Sequence, residues 1–364
     1  MKLRLLTLTL FAMTSPLTAG DWLLHRGNAT QTGVSEEKLP AKLDVRWRFN
    51  AGRSVEGTAV IGDGVVYIGS IDKALHAIDL KTGQPKWKAA IGSTTAPAAI
   101  KGDRVYIGDD DGKFYCINRA DGTVVWTFES EGGGQITAAP NFAGDLILIP
   151  THDSTLYCLD KDGKKVWDFR IEGPIYGGVA VAEGKTFLAG CDSMLHVLDA
   201  KNGKELGSVD LNGQTGSAAA VLGDYLYVGT MSNQVVAVNL RRLKIEWAFE
   251  APKRKQGFYA SAAVTDDLVV IGSRDNRVWG IERKTGKRRW DFLTDHKVDG
   301  SAVIADGRVF VGSFDKHFYV LDLKGQKVQE FELDGAIIGS PAVAGGCVVI
   351  GTDKGTVYCL GAKE

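Results

Sequence analysis

A hydrophobic strand ending in Val/Ile-Gly-Ser/Thr recurs along the chain, and this repeat constrains the fold more than any other feature of the sequence. It is read, with variation, as VVYIGS (65–70), RVYIGD (104–109), LILIPT (146–151), TFLAGC (186–191), YLYVGT (225–230), LVVIGS (268–273), RVFVGS (308–313) and CVVIGT (347–352). The fifth residues are Gly69, Gly108, Pro150, Gly190, Gly229, Gly272, Gly312 and Gly351, spaced 39 to 43 residues apart with no drift. Each unit has one internal order. A small-residue strand such as APAAI or SAAAV comes first and the YIGS-type strand second. The third is LHAIDL-like, and the fourth usually carries Trp, as in VVWTFE. Short runs rich in Val, Ile and aromatics between Gly/Asp turns read as strands, and no segment sustains a helical period.

Four antiparallel strands per unit make a propeller blade. The expected fold is therefore all-β: an eight-bladed β-propeller of four-stranded antiparallel blades. Ala, Gly and Ser in the first strand suit the crowded axis, and Trp, Tyr and Phe suit the wider periphery. The last unit, ending TVYCLGAKE, lacks a fourth strand, while DVRWRFNAG (44–52) matches VVWTFESE of the second unit. The N-terminal strand is expected to complete the last blade, closing the ring and removing sheet edges that invite aggregation.

The start of the chain reads as a secretory signal over residues 1–20. Lys2 and Arg4 precede the short apolar run 5–13, and Thr18-Ala19-Gly20 is small enough for cleavage. A lead-in over 21–43 and a single propeller over 44–364 follow. Removing Lys2 and Arg4 takes the formal charge from -1 to -3, a balance that gives no support to nucleic-acid binding. No apolar run is long enough for a transmembrane segment. The chain is expected to be periplasmic or secreted and monomeric, with a protein partner in the cell envelope.

Most conspicuous residues belong to the repeat. Trp47, Trp87, Trp126, Trp167, Trp247 and Trp290 share one slot, with Gly207 and Gln329 as the exceptions. Burying about 200 Å² of aromatic surface gives roughly 5 kcal/mol as an upper bound. Six such gains at one register point to packing between blades, not to a cofactor shelf. Cys116, Cys158 and Cys359 share a slot filled elsewhere by Ala77, Val197, Ala237, Gly280 and Val320. Adjacent blades stand too far apart for Cys116 and Cys158 to bond, so the five cysteines are expected to be free and buried. Asp72, Asp111, Asp153, Asp192, Asp275, Asp315 and Asp353 recur in the turn after the second strand. A metal-binding ring is one reading. Asp is also expected in short hairpin turns for backbone reasons, and that reading is preferred.

One connection departs from the repeat: EAPKRKQGFYAS (250–261), in the longest gap. Variable loops on a rigid scaffold commonly carry function. Lys253, Arg254, Lys255, Phe258 and Tyr259 are accordingly the candidate binding residues. Arg53, Glu56, Gln135, Tyr176, Gln214, Asp295, His296, Lys297 and Asp299 are placed on the same rim. No catalytic and no metal-ligating residue is named.

The unit G-x-VYIGS-x-D-x-x-LHAIDLKTG-x-x-x-W (64–87) and GDRVYIGDDDGKFYCINRADGTVVW (102–126) resemble the repeat of the PQQ-like β-propellers. The opening DWLLHRGNATQTGVS (21–35) is similar to the W-x-x-x-RG-x-x-x-x-x-G lead-in of exported members. The resemblance implies the propeller fold and two functional branches. Quinoprotein alcohol dehydrogenases bind pyrroloquinoline quinone (PQQ) and calcium over the channel. They are longer, and they typically carry an adjacent Cys-Cys pair that this chain lacks. BamB-like scaffolds of the outer-membrane barrel-assembly machinery are non-enzymatic, although their lipid-attachment Cys has no counterpart here. The expectation is an exported, non-catalytic protein-binding scaffold without cofactor, with a PQQ-dependent dehydrogenase as the alternative.

Overall fold

The computed structural model describes residues 20–252 and 255–363; the signal segment up to residue 19 lies outside them. Eight antiparallel sheets surround one axis. Blade 1 is built from Val60–Gly62, Val65–Ser70, Ala74–Asp79 and Pro85–Ala90, hydrogen-bonded in that order. Blades 2 to 7 repeat this order over 99–129, 141–170, 180–210, 220–250, 263–293 and 303–332. Blade 8 takes Ala342–Ala344, Cys347–Gly351 and Thr356–Gly361 from the C-terminus and Asp44–Asn50 from the N-terminus. The N-terminal strand runs antiparallel to Thr356–Gly361, with Trp47 opposite Cys359, so the ring is closed as the sequence implies.

The first strands of neighbouring blades touch around the axis, and the residues leading into them are small because backbones meet there. A Cβ on Gly57 would come within 2.7 Å of the Ala96 carbonyl oxygen, and one on Gly339 within 2.8 Å of the Gly57 carbonyl oxygen. Hydroxyls bridge part of this inner ring. The amides of Ser261, Ser301 and Ser340 donate to Ser301, Ser340 and Thr58 hydroxyls on the next blade.

The Trp slot joins each blade to the next. A Cβ added at Gly83, Gly122, Gly163, Gly203, Gly286 or Gly325 would meet the ring of Trp47, Trp87, Trp126, Trp167, Trp247 or Trp290 within 2.8 Å. These glycines also have φ of +71° to +81°, which an L side chain adopts only with strain. The indole nitrogens of Trp47, Trp87, Trp126, Trp247 and Trp290 donate to carbonyls of the same neighbouring turns. Both exceptions to the slot are compensated. Where Gly207 replaces Trp, Leu243 replaces the next blade's turn glycine, and its side chain fills the space over Gly207. Where Gln329 replaces Trp, blade 8 has no turn to pack on, because its third and fourth strands come from opposite chain ends. Gln329 instead donates to the Leu43 carbonyl at 2.6 Å and accepts from the Leu43 amide at 3.1 Å, holding the start of the closing strand.

The lead-in has a role that sequence reading did not supply. It crosses one face of the ring and hydrogen-bonds the inner strands in turn. The partners are Ile61 and Ile100, then Asn141, Val181 and Val221, then Val264 and Ile304, on blades 1 to 7. Val34–Ser35 adds a parallel strand to blade 7. Arg26, in a three-residue 3-10 turn, is fully buried and donates to the carbonyls of Ala262 and Ala302. Burial without an acidic partner lowers its pKa to about 9. The lead-in therefore plugs this face of the channel.

Candidate interaction site at the open mouth of the channel

The opposite face carries the eight connections from each fourth strand to the next first strand. One position in every connection points inward between blades: Val55, Thr94, Ile136, Ile175, Thr215, Phe258, Val298 and Ile337 are all fully buried. The residue that follows borders the mouth.

Among the candidate binding residues, Phe258 corrects the sequence reading. It is 0% exposed and packs over Gly229 and Ile271 as the apolar wedge of its connection, so no partner can touch it. Lys255 is exposed and pairs with Glu250 at 3.6 Å. Lys253 and Arg254 lie outside the described residues. Tyr259 borders the mouth. Its ring is fixed between Gly216 and Gly257, where an added Cβ would come within 3.2 Å and 2.9 Å of it. Arg274 covers the ring at 3.4 Å from its centroid.

Tyr259 lines a cleft of about 480 Å³ with Pro174, Tyr176, Cys191, Gln214, Gly216 and Met231. Tyr176 is 41% exposed, and its ring is braced edge-on by His152 at 4.7 Å. His152 in turn bonds Thr137 at 2.7 Å, and burial lowers its pKa, so the brace is held neutral. Arg274 donates through Nε and Nη2 to both oxygens of Asp299 at 2.9 Å, a fork geometry that adds direction to charge. That carboxylate holds the guanidinium further in its charged form. Lys297 shares Asp299 at 3.0 Å and lies over Phe314 at 4.0 Å. Of the rim residues named from sequence, Tyr176 and Gln214 line the cleft, and Lys297 and Asp299 flank it through Arg274. Arg53, Glu56 and Gln135 sit on other blades. Asp295 receives no side-chain partner in the cleft; its amide donates to Asp315. Met231 and Arg274 are additions that the repeat pattern did not reveal.

This arrangement offers two aromatic rings, a thioether and a primary amide beside an oriented cation–carboxylate pair. Such a surface offers contact area and hydrogen-bonding groups. The turn aspartates take no part in it. Asp72, Asp153, Asp192, Asp275 and Asp315 each accept from the His, Tyr or Trp four residues on. In blade 2 the same task falls to Asp109, which accepts from Tyr115 at 2.8 Å. Among the described residues, no three His, Cys, Asp or Glu side chains gather as metal ligands. Calcium takes six to eight oxygen ligands, and the cleft lining holds no carboxylate.

Comparison with known proteins agrees with the repeat. A structure from Moraxella catarrhalis titled BamB superposes with a TM-score of 0.75 at 20% identity, over 89% of this chain and 98% of that one. The outer membrane protein assembly factor BamB of Shewanella oneidensis is 22% identical over 77% of this chain and 78% of its own length. The quinohemoprotein alcohol dehydrogenase of Comamonas testosteroni is 32% identical over only 29% of this chain and 18% of its own length. Its structure superposes with a TM-score of 0.82 at 14% identity, over 95% of this chain and 81% of that one, which shows a shared fold alone. The family described as outer membrane protein assembly factor BamB matches residues 41–160 and 152–364, and the chain belongs to that family.

Proposed function

We propose that this chain is an exported, non-catalytic scaffold that binds a protein partner during outer-membrane protein assembly in the cell envelope. The family gives the process. The observation that carries the mode of action is the asymmetry of the channel: the lead-in plugs one face, and the other opens into the cleft lined by Tyr176, Gln214, Met231 and Tyr259. The exposed Lys255 supplies a basic group beside it for the partner. The polar side chains that recur in the repeat are engaged within the blades, which leaves contact and not chemistry as the use of this face.

Photo-cross-linking tests the proposal. A cross-linking residue at position 176 or 214 should capture an assembly partner from envelope preparations, and one at Leu206 on the outer strand of blade 4 should not. Capture only from position 206 would move the interface to the blade edges and overturn the assignment to the mouth. The local 32% identity to the Comamonas enzyme supports a second reading as a PQQ-dependent dehydrogenase. A native-state ligand raises the melting temperature by mass action. PQQ with calcium at high excess should leave it unchanged, and a rise of several degrees would favour the oxidoreductase.

A further inference from the structure

Two devices join neighbouring blades beyond their apolar contacts. One is the Trp that packs over the next blade's turn glycine, and the other is the hydroxyl that accepts an amide across the inner ring. Among the described residues, the interface between blades 4 and 5 has neither. Gly207 stands in the Trp slot, and Leu243 fills the space over it without an aromatic face or an indole N–H. Ser217 is the blade 5 counterpart of Ser261, Ser301 and Ser340, yet its buried hydroxyl has no hydrogen-bond partner. What remains is apolar contact: Phe187, Leu195 and Val197 of blade 4 share one cluster with Leu226, Val228 and Val236 of blade 5. Blades 7 and 8 also lack the Trp, but they keep the Ser301–Ser340 bridge and the Gln329 clasp on Leu43. The other side of blade 4 is weakened too. Trp167 packs over Gly203, but its buried Nε1 donates to no acceptor among the described residues, unlike those of the other five slot tryptophans. Asn141 Nδ2 donates across that interface to the Val179 carbonyl at 2.8 Å.

We propose that blade 4 is the mobile element of the ring, and that its interface with blade 5 opens locally while the other blades stay closed. The stability of stacked repeats is close to a sum of unit and nearest-neighbour terms, so opening starts where the neighbour terms are smallest. A Trp carries more contact area than a Leu. A buried hydroxyl or indole N–H without a partner counts against the closed arrangement. These differences converge on blade 4. Its place in the fold gives the opening a consequence, because the mouth cleft straddles the same interface. Pro174, Tyr176 and Cys191 lie on the blade 4 side, where the Cys191 amide donates to the Pro174 carbonyl. Gln214, Met231 and Tyr259 lie on the blade 5 side, where the Met231 amide donates to the Gln214 carbonyl. Separation of the blades changes the width of the cleft between Tyr176 and Tyr259, and a partner that touches both sides holds the interface shut. This consequence rests on the mouth being the partner site; the opening itself does not.

Hydrogen exchange read by mass spectrometry on the full chain, without partner, tests the opening. Amides of Lys185–Ala189 and Met194–Asp199 in blade 4 are compared with those of Leu268–Ser273 and Arg277–Glu282 in blade 6. Relative to intrinsic rates, blade 4 should exchange about tenfold faster or more, the factor that one net hydrogen bond carries. Blade 6 is the control because a slot Trp and a hydroxyl bridge flank it on both sides. The double variant Gly207→Trp, Leu243→Gly installs the pair found at six other interfaces and should slow blade 4 towards the blade 6 rate. The reciprocal variant Trp247→Gly, Gly286→Leu should speed exchange in blade 6. A Leu suits that turn position, since Leu243 holds its counterpart at φ +49°. Equal protection of blades 4 and 6 in the wild-type chain, or fast blade 4 exchange unchanged in the folded Gly207→Trp, Leu243→Gly variant, would overturn the proposal. Fast blade 4 exchange without cross-linking at positions 176 and 214 would support the opening and move the partner site elsewhere.

Discussion

His76 and His196 occupy one repeat slot, filled by Tyr115, Tyr157, Tyr319 and Tyr358 in other blades, yet their surroundings give them opposite titrations. Burial lowers the pKa of His76, and its partner Asp72 is shared with Lys88 at 2.7 Å. Burial also opposes the charged form of His196. There Asp192 at 2.7 Å and Glu205 at 2.8 Å outweigh it and raise the pKa. The raised group contributes stability that is full below about pH 6.5 and lost as pH rises through its folded pKa. The lowered group contributes stability that is present above about pH 6.5 and lost as pH falls through its folded pKa. His196→Tyr should therefore flatten the alkaline side of a melting-temperature profile between pH 5 and 8, and His76→Tyr the acid side. Identical profiles for the two variants would contradict these assignments. Sequence shows the shared slot and not the sign, because the sign depends on carboxylates delivered by the fourth strand and by the turn. Phe258 shows the converse. It looked like loop, but aligning the connections places it in the slot of Val55, Ile136 and Val298, where the sequence alone marks it as core.

At the scale of elements, strands were legible because their period of two and their glycine turns are local properties. The lead-in was not, because its partners are spread over seven blades, from Ile61 to Ile304, and no local pattern records them. Gln329 is an intermediate case. Its departure from Trp is visible, but its meaning depends on blade 8 lacking a continuous turn. Gln329→Ala should cost about 1–3 kcal/mol in urea unfolding, since it leaves both backbone groups of Leu43 without their partner. Gln329→Trp should not restore that stability, because no turn glycine lies beneath it. Equal stability of the Trp variant and the wild-type chain would show that the clasp on Leu43 contributes little. Arg308 adds to the same anchorage through the carbonyls of Leu39, Pro40 and Ala41.

Across the whole molecule, each blade contacts its two neighbours, so stability is close to a sum of blade and interface terms. Ring closure is what makes the last interface equal to the others. Trp47 belongs to the closing strand, packs over Gly83 of blade 1 and donates to the Leu80 carbonyl at 2.8 Å. One seven-residue strand therefore completes blade 8 and links it to blade 1. The eightfold repeat and this borrowed strand were both readable from the sequence. The plugged and open faces were not. Deleting residues 42–50 removes the fourth strand of blade 8 and exposes the edge of Thr356–Gly361, whose unpaired backbone is a template for association. The deleted chain should aggregate on size-exclusion chromatography, or unfold with transitions that differ between tryptophan fluorescence and circular dichroism, where the intact chain gives one. A soluble deletion variant with a single coincident transition would mean that seven complete blades and the lead-in suffice to hold the ring. The closing strand would then serve the geometry of blade 8 alone.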